Sequence, residues 1–162
     1  IEQSGTVITA AAKIKLDALV KDAVDKGARV YTAPVLDHSS NESRQSFIPT
    51  IITGLKPEMA FYETESFGPL CGIITVEDED GVIDIAEQAT YGLSASIFSQ
   101  NHYNALKLAG SIRSGAVHIN SMTVHDEATL PHGGRGDSGW GRFGSQWGLE
   151  EFLQTKTVTL HQ

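Results

Sequence analysis

The sequence predicts an α/β fold in which a β-α-β-α-β run forms a parallel sheet with covering helices. Apolar residues cluster in three segments that predict strands, at 70–76, 93–98 and 116–119. Between them, 82–89 and 105–112 carry apolar residues at helical spacing. Strands that alternate with helices through short connections favour parallel pairing, because each helix returns the chain to the same end of the sheet.

Residues 6–26, upstream of this run, predict an amphipathic helix with a left-handed cap at Gly27. Its apolar face is formed by Ala12, Leu16, Leu19, Val20, Ala23 and Val24. Residues 29–32 then predict a short strand. The polar stretch 37–45 predicts a surface loop. Residues 47–52, around Pro49, predict an edge strand or the start of a strand.

The second half of the chain contains a long glycine-rich loop at 121–144. Its glycines are Gly133, Gly134, Gly136, Gly139, Gly141 and Gly144. Loops of this length in compact domains are usually functional or linkers. A short helix is predicted at 145–152, and a strand at 155–160. That strand has no partner inside the β-α-β-α-β run, so we expect it to pair elsewhere or with another chain.

Composition narrows the function classes. The net charge is −8 with only 12 Lys and Arg among 162 residues, which disfavours nucleic acid as a partner. The one cysteine, Cys71, cannot form an internal disulfide, which indicates a reducing, cytoplasmic location. No apolar run approaches the roughly 20 residues that span a bilayer, and residues 1–15 lack a secretory signal pattern. The start at Ile1 rather than Met indicates a processed or truncated chain.

Glu65-x-Phe67 is the first candidate site. In an extended segment, residues two apart point to the same side, so this carboxylate and ring would face one ligand. A carboxylate can accept hydrogen bonds from both hydroxyls of a ribose, and an aromatic ring can border a nicotinamide. Gly68 and Pro69 would end the segment sharply. Taken alone, the pair also fits a surface charge beside a core aromatic residue.

Four strings together resemble one family. They are ETESFGPLCGI (63–73), TYGLSASIFS (90–99), SGAVHIN (114–120) and the tail PHGG…SGWGRFGSQWGLEEFLQTKTVTL (131–160). In order and spacing they are similar to the C-terminal part of the catalytic domain of NAD(P)-dependent aldehyde dehydrogenases. The similarity covers nearly the whole chain.

The resemblance implies a cofactor site and an incomplete catalytic centre. Glu65 and Phe67 match the family positions that bind the nicotinamide ribose and lie near the nicotinamide, so NAD or NADP is expected. In the family a thiolate attacks the aldehyde, hydride passes to the nicotinamide, and an activated water releases the acid. The nucleophile, the general-base Glu and the oxyanion Asn match no position here. This chain alone is therefore expected to be inactive, and Cys71, in a strand expected to be buried, is not the nucleophile.

The loop after Asn120 carries the substrate prediction. Its TVHDE string (123–127) resembles the aromatic-aldehyde branch, the salicylaldehyde and vanillin dehydrogenases. The resemblance implies that Val124, His125 and His132 line the aldehyde pocket. His132 stands where the family usually has Phe, which would make the pocket more polar and suit a phenolic aldehyde. The alternative is that both histidines bond nearby backbone.

The same loop offers no metal site by spacing, because His125, Asp126, Glu127 and His132 match no standard ligand pattern. We therefore expect no metal.

Arg142 matches a family arginine near the subunit interface. By the same resemblance, residues 1–152 form a partial catalytic domain and 153–162 an oligomerisation strand, so a homodimer or homotetramer is expected. Two further hypotheses remain open. The chain could be a non-catalytic interaction module that binds full-length subunits, or a breakdown product.

Overall fold

The computed structural model describes residues 6–34 and 45–161. They fall into two compact units, Ile1–Thr75 and Val76–Gln162. The loop predicted at 37–45 lies outside the described residues apart from Gln45, which is in a turn. Among the described helices, none has the length and apolarity needed to span a bilayer.

The first unit is built around one long helix. Its elements are α1 (Ala10–Asp25), β1 (Arg29–Thr32), β2 (Thr50–Thr53), a short 3-10 helix (Ala60–Tyr62) and β3 (Leu70–Ile73). The predicted helix is confirmed. It begins at Ala10 because the Thr9 side chain accepts a hydrogen bond from the Ala12 backbone N–H, capping the first turn. Gly27 follows with a φ of 92°, as expected of a left-handed residue after a helix.

The three strands of this unit form one sheet in the order β1-β2-β3. β1 pairs with β2 antiparallel, and β2 pairs with β3 in parallel. The helix packs its apolar stripe on this sheet, and Leu16 and Ile52 are fully buried there. The strand start predicted around Pro49 is confirmed, because β2 begins directly after the proline, at Thr50. The predicted edge position is wrong, because β2 pairs on both sides and is the central strand of its sheet.

The single parallel sheet predicted through three strands is not found in the described chain. The first of them, β3, pairs with β2 and not with the strands that follow it. The physical reason is that β2 offers an apolar partner inside the first unit, where Ile52 and Leu70 share one core. The expected burial of Cys71 is also wrong. β3 is an edge strand of its sheet, and Cys71 is exposed on it.

In the second unit, one β-α-β part of the predicted β-α-β-α-β run is confirmed. The elements of this unit are α2 (Glu79–Gln88), β4 (Tyr91–Gly92), β5 (Ser94–Ile97), α3 (His102–Ser111), β6 (Ala116–Ile119), β7 (Arg135–Gly136) and α4 (Ser145–Glu150). β5 and β6 pair in parallel and are joined by α3, which makes a β-α-β unit. Asn101 caps α3 as predicted, accepting from the Asn104 backbone N–H at 3.1 Å.

Between β6 and α4 the chain is mostly irregular. It contains β7, which pairs with β4, and an isolated bridge between His132 and Phe143. The strand predicted at 155–160 is not a strand in the structure, because an extended segment needs a hydrogen-bonding neighbour to form a ladder. Val158 and Leu160 are 82% and 92% exposed in this segment.

Candidate functional site

The Glu65–Phe67 motif lies between the 3-10 helix and β3, in the first unit. Lys15, on α1, holds it: its Nζ donates to the Glu65 backbone carbonyl at 2.7 Å. The same Nζ lies 5.6 Å from the centroid of the Phe67 ring, within the range of a cation–π contact. One lysine therefore fixes both the backbone of Glu65 and the face of Phe67.

The sequence suggested an extended segment for this motif, but the structure does not keep it extended throughout. Phe67 has a φ of 51°, a left-handed conformation that is uncommon for an aromatic residue, so the chain turns there. Gly68 follows, and a Cβ at that position would lie 2.5 Å from Leu16 Cδ1. Only glycine lets the backbone approach the core so closely. The turn is therefore held against a buried side chain, and strain of this kind clusters at ligand sites.

The two predicted cofactor-binding side chains are available to a ligand. The Glu65 side chain is exposed. The Phe67 ring is 75% exposed, a large fraction for an apolar ring next to a core. Each side chain is therefore accessible, the carboxylate to a ligand's hydroxyl groups and the ring to a flat heterocycle.

The predicted substrate residues lie in the second unit, on the segment that follows β6. Two serines of β5 tie this segment down. Ser94 Oγ donates to the Thr123 carbonyl at 3.1 Å, and Ser96 Oγ donates to the Ser121 carbonyl at 2.5 Å. The backbone of 121–123 is thereby fixed over one face of β5. Val124, next along the chain, is 82% exposed.

His125 contacts two side chains. Its Nε2 lies 3.2 Å from Glu127 Oε1. Its ring meets the ring of His118 edge to face, with centroids 5.5 Å apart and planes at 71°. His118, on β6, was not identified from the sequence. The sequence did carry a signal for it. His118 is a polar residue in an otherwise apolar strand, two residues after Ala116 and therefore on the same face.

His132 is placed by backbone and by ring contacts. Its N–H and carbonyl both bond Phe143 at 2.8 Å, and the two rings lie 4.9 Å apart. Its Nδ1 lies 3.7 Å from Asp126 Oδ1. The two predicted histidines thus each face their own carboxylate. Within residues 6–34 and 45–161, no group of three or more His, Cys, Asp or Glu side chains could hold a metal ion.

Arg142 acts inside the glycine-rich segment. Its Nη1 donates to the carbonyls of Gly134, at 2.9 Å, and Gly141, at 2.5 Å. The guanidinium is a strong donor, and two of its hydrogen bonds go to backbone carbonyls of the same loop. This clamp joins two points of the loop that carries His132.

A sequence model of the aldehyde dehydrogenase family matches residues 2–158. The chain belongs to the aldehyde dehydrogenase family. The family resemblance predicted from four short strings is therefore confirmed over nearly the full length of the chain.

Curated members of the aldehyde dehydrogenase family with similar sequences include enzymes named for aromatic aldehydes. The chain is 40% identical over 156 residues to vanillin dehydrogenase of Pseudomonas fluorescens, covering 96% of this chain and 31% of that protein. It is 35% identical over 147 residues to salicylaldehyde dehydrogenase of Pseudomonas putida, covering 90% and 29%. The chain thus spans about a third of the length of the curated relatives it matches.

Solved aldehyde dehydrogenase structures share its fold. A salicylaldehyde dehydrogenase from Pseudomonas putida G7, complexed with salicylaldehyde, superposes with a TM-score of 0.86 at 33% identity, covering 98% of this chain and 32% of that one. A succinic semialdehyde dehydrogenase from Streptococcus pyogenes, in complex with NADP+, gives 0.82 at 34% identity, covering 95% and 33%. The mixed α/β architecture is therefore that of the family.

Proposed function

We propose that the protein to which this chain belongs oxidises an aromatic aldehyde to its carboxylic acid with NAD or NADP, through a thiohemiacetal. The observation that carries this proposal is the family match over residues 2–158. It is supported by similarity to relatives named for vanillin and salicylaldehyde, and by a structural neighbour complexed with NADP+.

In this proposal, Glu65 and Phe67 form the nicotinamide end of the cofactor site. The exposed carboxylate of Glu65 accepts hydrogen bonds from the ribose hydroxyls, and the exposed ring of Phe67 borders the nicotinamide. A bound nicotinamide supplies the hydride acceptor of the reaction. Lys15 supports both residues, through the Glu65 carbonyl and the Phe67 ring face.

The loop residues Val124, His125 and His132 bind the aldehyde in this proposal. Val124 offers exposed apolar surface to an aromatic ring. The two imidazoles offer polar atoms to a ring hydroxyl or methoxy group, and their carboxylate neighbours orient them. The alternative that the histidines only bond local backbone is not favoured, because both side chains also face a carboxylate.

The thiol nucleophile, the general base and the oxyanion Asn are proposed to belong to portions of the family domain that these residues do not cover. Cys71 is not assigned to catalysis, although it is exposed. It lies four residues after Phe67 in β3, with its Sγ 3.7 Å from the neighbouring Gly72 carbonyl. We propose no catalytic residue and no metal ligand within residues 1–162.

The intact enzyme is further proposed to be a cytoplasmic homo-oligomer. Residues 153–162 would supply the intersubunit strand, and residues 1–152 the partial catalytic domain. Val158 and Leu160 are 82% and 92% exposed in the segment 153–162, and such apolar exposure suits a partner chain. Arg142 would support the interface by keeping its loop closed.

The mass of the full-length protein in solution, with and without 153–162, tests this proposal. Loss of oligomerisation is expected on truncation, and an assembly that keeps its number of subunits would contradict it.

The function is tested by following reduction of NAD and NADP with a panel of aromatic and aliphatic aldehydes. The full-length protein should oxidise benzaldehydes. Glu65→Gln should raise the KM for the cofactor about tenfold while leaving the KM for the aldehyde nearly unchanged, because a neutral amide accepts weaker hydrogen bonds. Glu63→Gln, two residues away and also exposed, is the matched control. No aldehyde oxidation with either cofactor would refute the function, and an unchanged cofactor KM in Glu65→Gln would refute the site.

A further inference from the structure

The β5–β6 pair has one polar face, formed by side chains that the sequence analysis did not single out. In the parallel register, Ser94 is opposite Ala116 and Ser96 is opposite His118. Residues opposite each other in a sheet point to the same side, so these four share a face. The residues between them, Ala95, Val117 and Ile119 among others, are apolar and point to the other face.

The polar face holds the segment that leads to His125. The hydroxyls of Ser94 and Ser96 donate to carbonyls two residues apart, those of Thr123 and Ser121. The spacing of the two hydroxyls on one face of β5 therefore matches the spacing of two carbonyls along the segment. This pairing fixes 121–123 over the strands, and His125 follows two residues after Thr123.

His118 completes this arrangement. Its ring stands edge to face with the His125 ring, 5.5 Å between centroids. Its Nε2 is buried, and within the described residues it has no hydrogen-bond partner. A buried ring nitrogen without a partner costs stability. What His118 offers the segment is its ring, which contacts the ring of His125.

The orientation of His125 defines what it can bind. Its Nε2 faces the Glu127 carboxylate at 3.2 Å. A carboxylate only accepts, so it favours the proton on that nitrogen. In the neutral imidazole the other nitrogen, Nδ1, is then an acceptor. An acceptor pairs with a phenolic O–H, whereas a methoxy group has no hydrogen to donate.

We propose that His118 is a positioning residue that orients His125 through ring contact, so that His125 accepts a hydrogen bond from a phenolic hydroxyl on the aldehyde. This deepens the proposed function and rests on it. It predicts a preference for hydroxybenzaldehydes over benzaldehyde and over their methoxy analogues. Ser94 and Ser96 set the position of the segment, and His118 sets the direction of the ring.

The test measures kcat/KM of the full-length protein for ortho- and para-hydroxybenzaldehyde, their methoxy analogues and benzaldehyde. The quantity compared is the preference ratio, hydroxybenzaldehyde over benzaldehyde. His118→Ala and His125→Phe should each lower this ratio about tenfold, the size expected for one hydrogen bond. His118→Phe keeps a ring against His125 and should retain the ratio within about threefold. A general structural loss would lower both rates and leave the ratio unchanged.

Tyr103→Ala is the matched control, because it removes an aromatic ring that is 79% exposed on α3, outside the polar face. An unchanged ratio in His118→Ala would overturn the proposal, as would equal losses in His118→Ala and His118→Phe. If His118→Ala does not fold, His118→Leu, which fills volume without a ring, replaces it with the same expectation.

A binding measurement separates this inference from the proposed function. Calorimetry compares hydroxybenzoate with benzoate, the carboxylate products, on wild type and His118→Ala. If the wild type oxidises no aldehyde, the proposed function fails, and the inference is then judged on binding alone. A hydroxybenzoate preference that His118→Ala loses supports the positioning role. The same preference in both proteins, or in neither, overturns it.

Discussion

Asn120 pairs with both backbone groups of Ser99. Its Oδ1 accepts from the Ser99 N–H at 2.8 Å, and its Nδ2 donates to the Ser99 carbonyl at 2.9 Å. The side-chain amide thus imitates a backbone peptide and extends the β5–β6 pairing beyond the ends of both strands. Asn120 itself has a φ of 56°, which asparagine tolerates better than most residues. The segment that carries the candidate substrate residues begins at this point.

Asn120→Gly should lower the free energy of unfolding by about 1–2 kcal/mol, since glycine keeps the left-handed backbone but loses both hydrogen bonds. Urea denaturation, followed by a spectroscopic signal from the second unit, measures this change in the free energy of unfolding. Asn104→Ala is the control, because its side chain makes only a 3.4 Å contact with Glu79 on the surface. We expect a change of about 0.5 kcal/mol or less there. Equal stability of Asn120→Gly and wild type would show that Ser99 gains nothing from the amide.

Asp22 gives the first unit an acid-sensitive contact. The hydrogen bond from Lys26 lowers the pKa of Asp22 below its usual 3.8, and the Ala60 backbone N–H, 2.7 Å from Oδ2, lowers it further. A carboxyl with a lowered folded pKa stabilises the fold above its unfolded pKa, and this stabilisation is lost as pH falls through the folded pKa. Asp22→Asn should therefore lower the thermal midpoint at neutral pH and flatten its dependence below about pH 4.

Thermal unfolding from pH 2 to 7 measures the effect. Asp17→Asn is the control, because Asp17 pairs only with Lys13 on the same helix, at 2.6 Å. An isolated surface pair of this kind contributes little. If the thermal midpoint of Asp22→Asn falls as steeply with acid as that of the wild type, the Asp22 contact does not cause the acid sensitivity.

Arg142→Met should open the glycine-rich segment while leaving the rest of the second unit folded. Methionine keeps an apolar side chain of similar reach but has no donor, so both hydrogen bonds from Nη1 to the Gly134 and Gly141 carbonyls are lost. Hydrogen exchange at residues 133–142 is expected to accelerate by about tenfold or more, since about tenfold is the effect of one lost hydrogen bond on local opening. Exchange in β5 and β6 serves as the internal reference, and equal acceleration there would indicate global destabilisation instead.

Gly115→Ala should disrupt the second unit, whereas Gly110→Ala should not. A Cβ at Gly115 would lie 1.7 Å from the Gly133 carbonyl oxygen, a distance that only backbone movement can relieve. A Cβ at Gly110, inside α3, meets nothing within 4 Å. Alanine at 110 should stabilise the protein by about 0.5–1 kcal/mol through helix propensity. Denaturation midpoints of the two variants give the comparison, and similar midpoints would contradict the close contact.

The sequence predicted most elements of this fold because their signals are local. The apolar spacing of α1 and the caps at Gly27 and Asn101 depend on residues within a turn or two. Strand partners depend on distant residues instead. Nothing within 70–76 indicates that its neighbour is β2, so the predicted three-strand parallel sheet was wrong. Cys71 was predicted buried for the same reason, since burial in a strand depends on whether the strand lies at an edge.

The candidate site was predicted in part. Glu65, Phe67 and His125 were identified because family strings contain them, and their roles stay predictions. His118 and the serine anchors, Ser94 and Ser96, were missed, since each alone is an ordinary strand residue. Only the parallel register puts Ser96 opposite His118, and register is a tertiary property. The left-handed turn at Phe67 was missed because an aromatic residue carries no signal for it.

The serine anchors divide the segment after β6 into a part that tolerates redesign and a part that does not. Ser121 and Thr123 present carbonyls at a spacing set by two hydroxyls on β5. An insertion between them would shift one carbonyl out of reach, whereas Val124 and the residues after it lie beyond both tethers. Libraries that aim to change aldehyde preference should therefore randomise and lengthen the chain from position 124 onward and keep 121–123 constant.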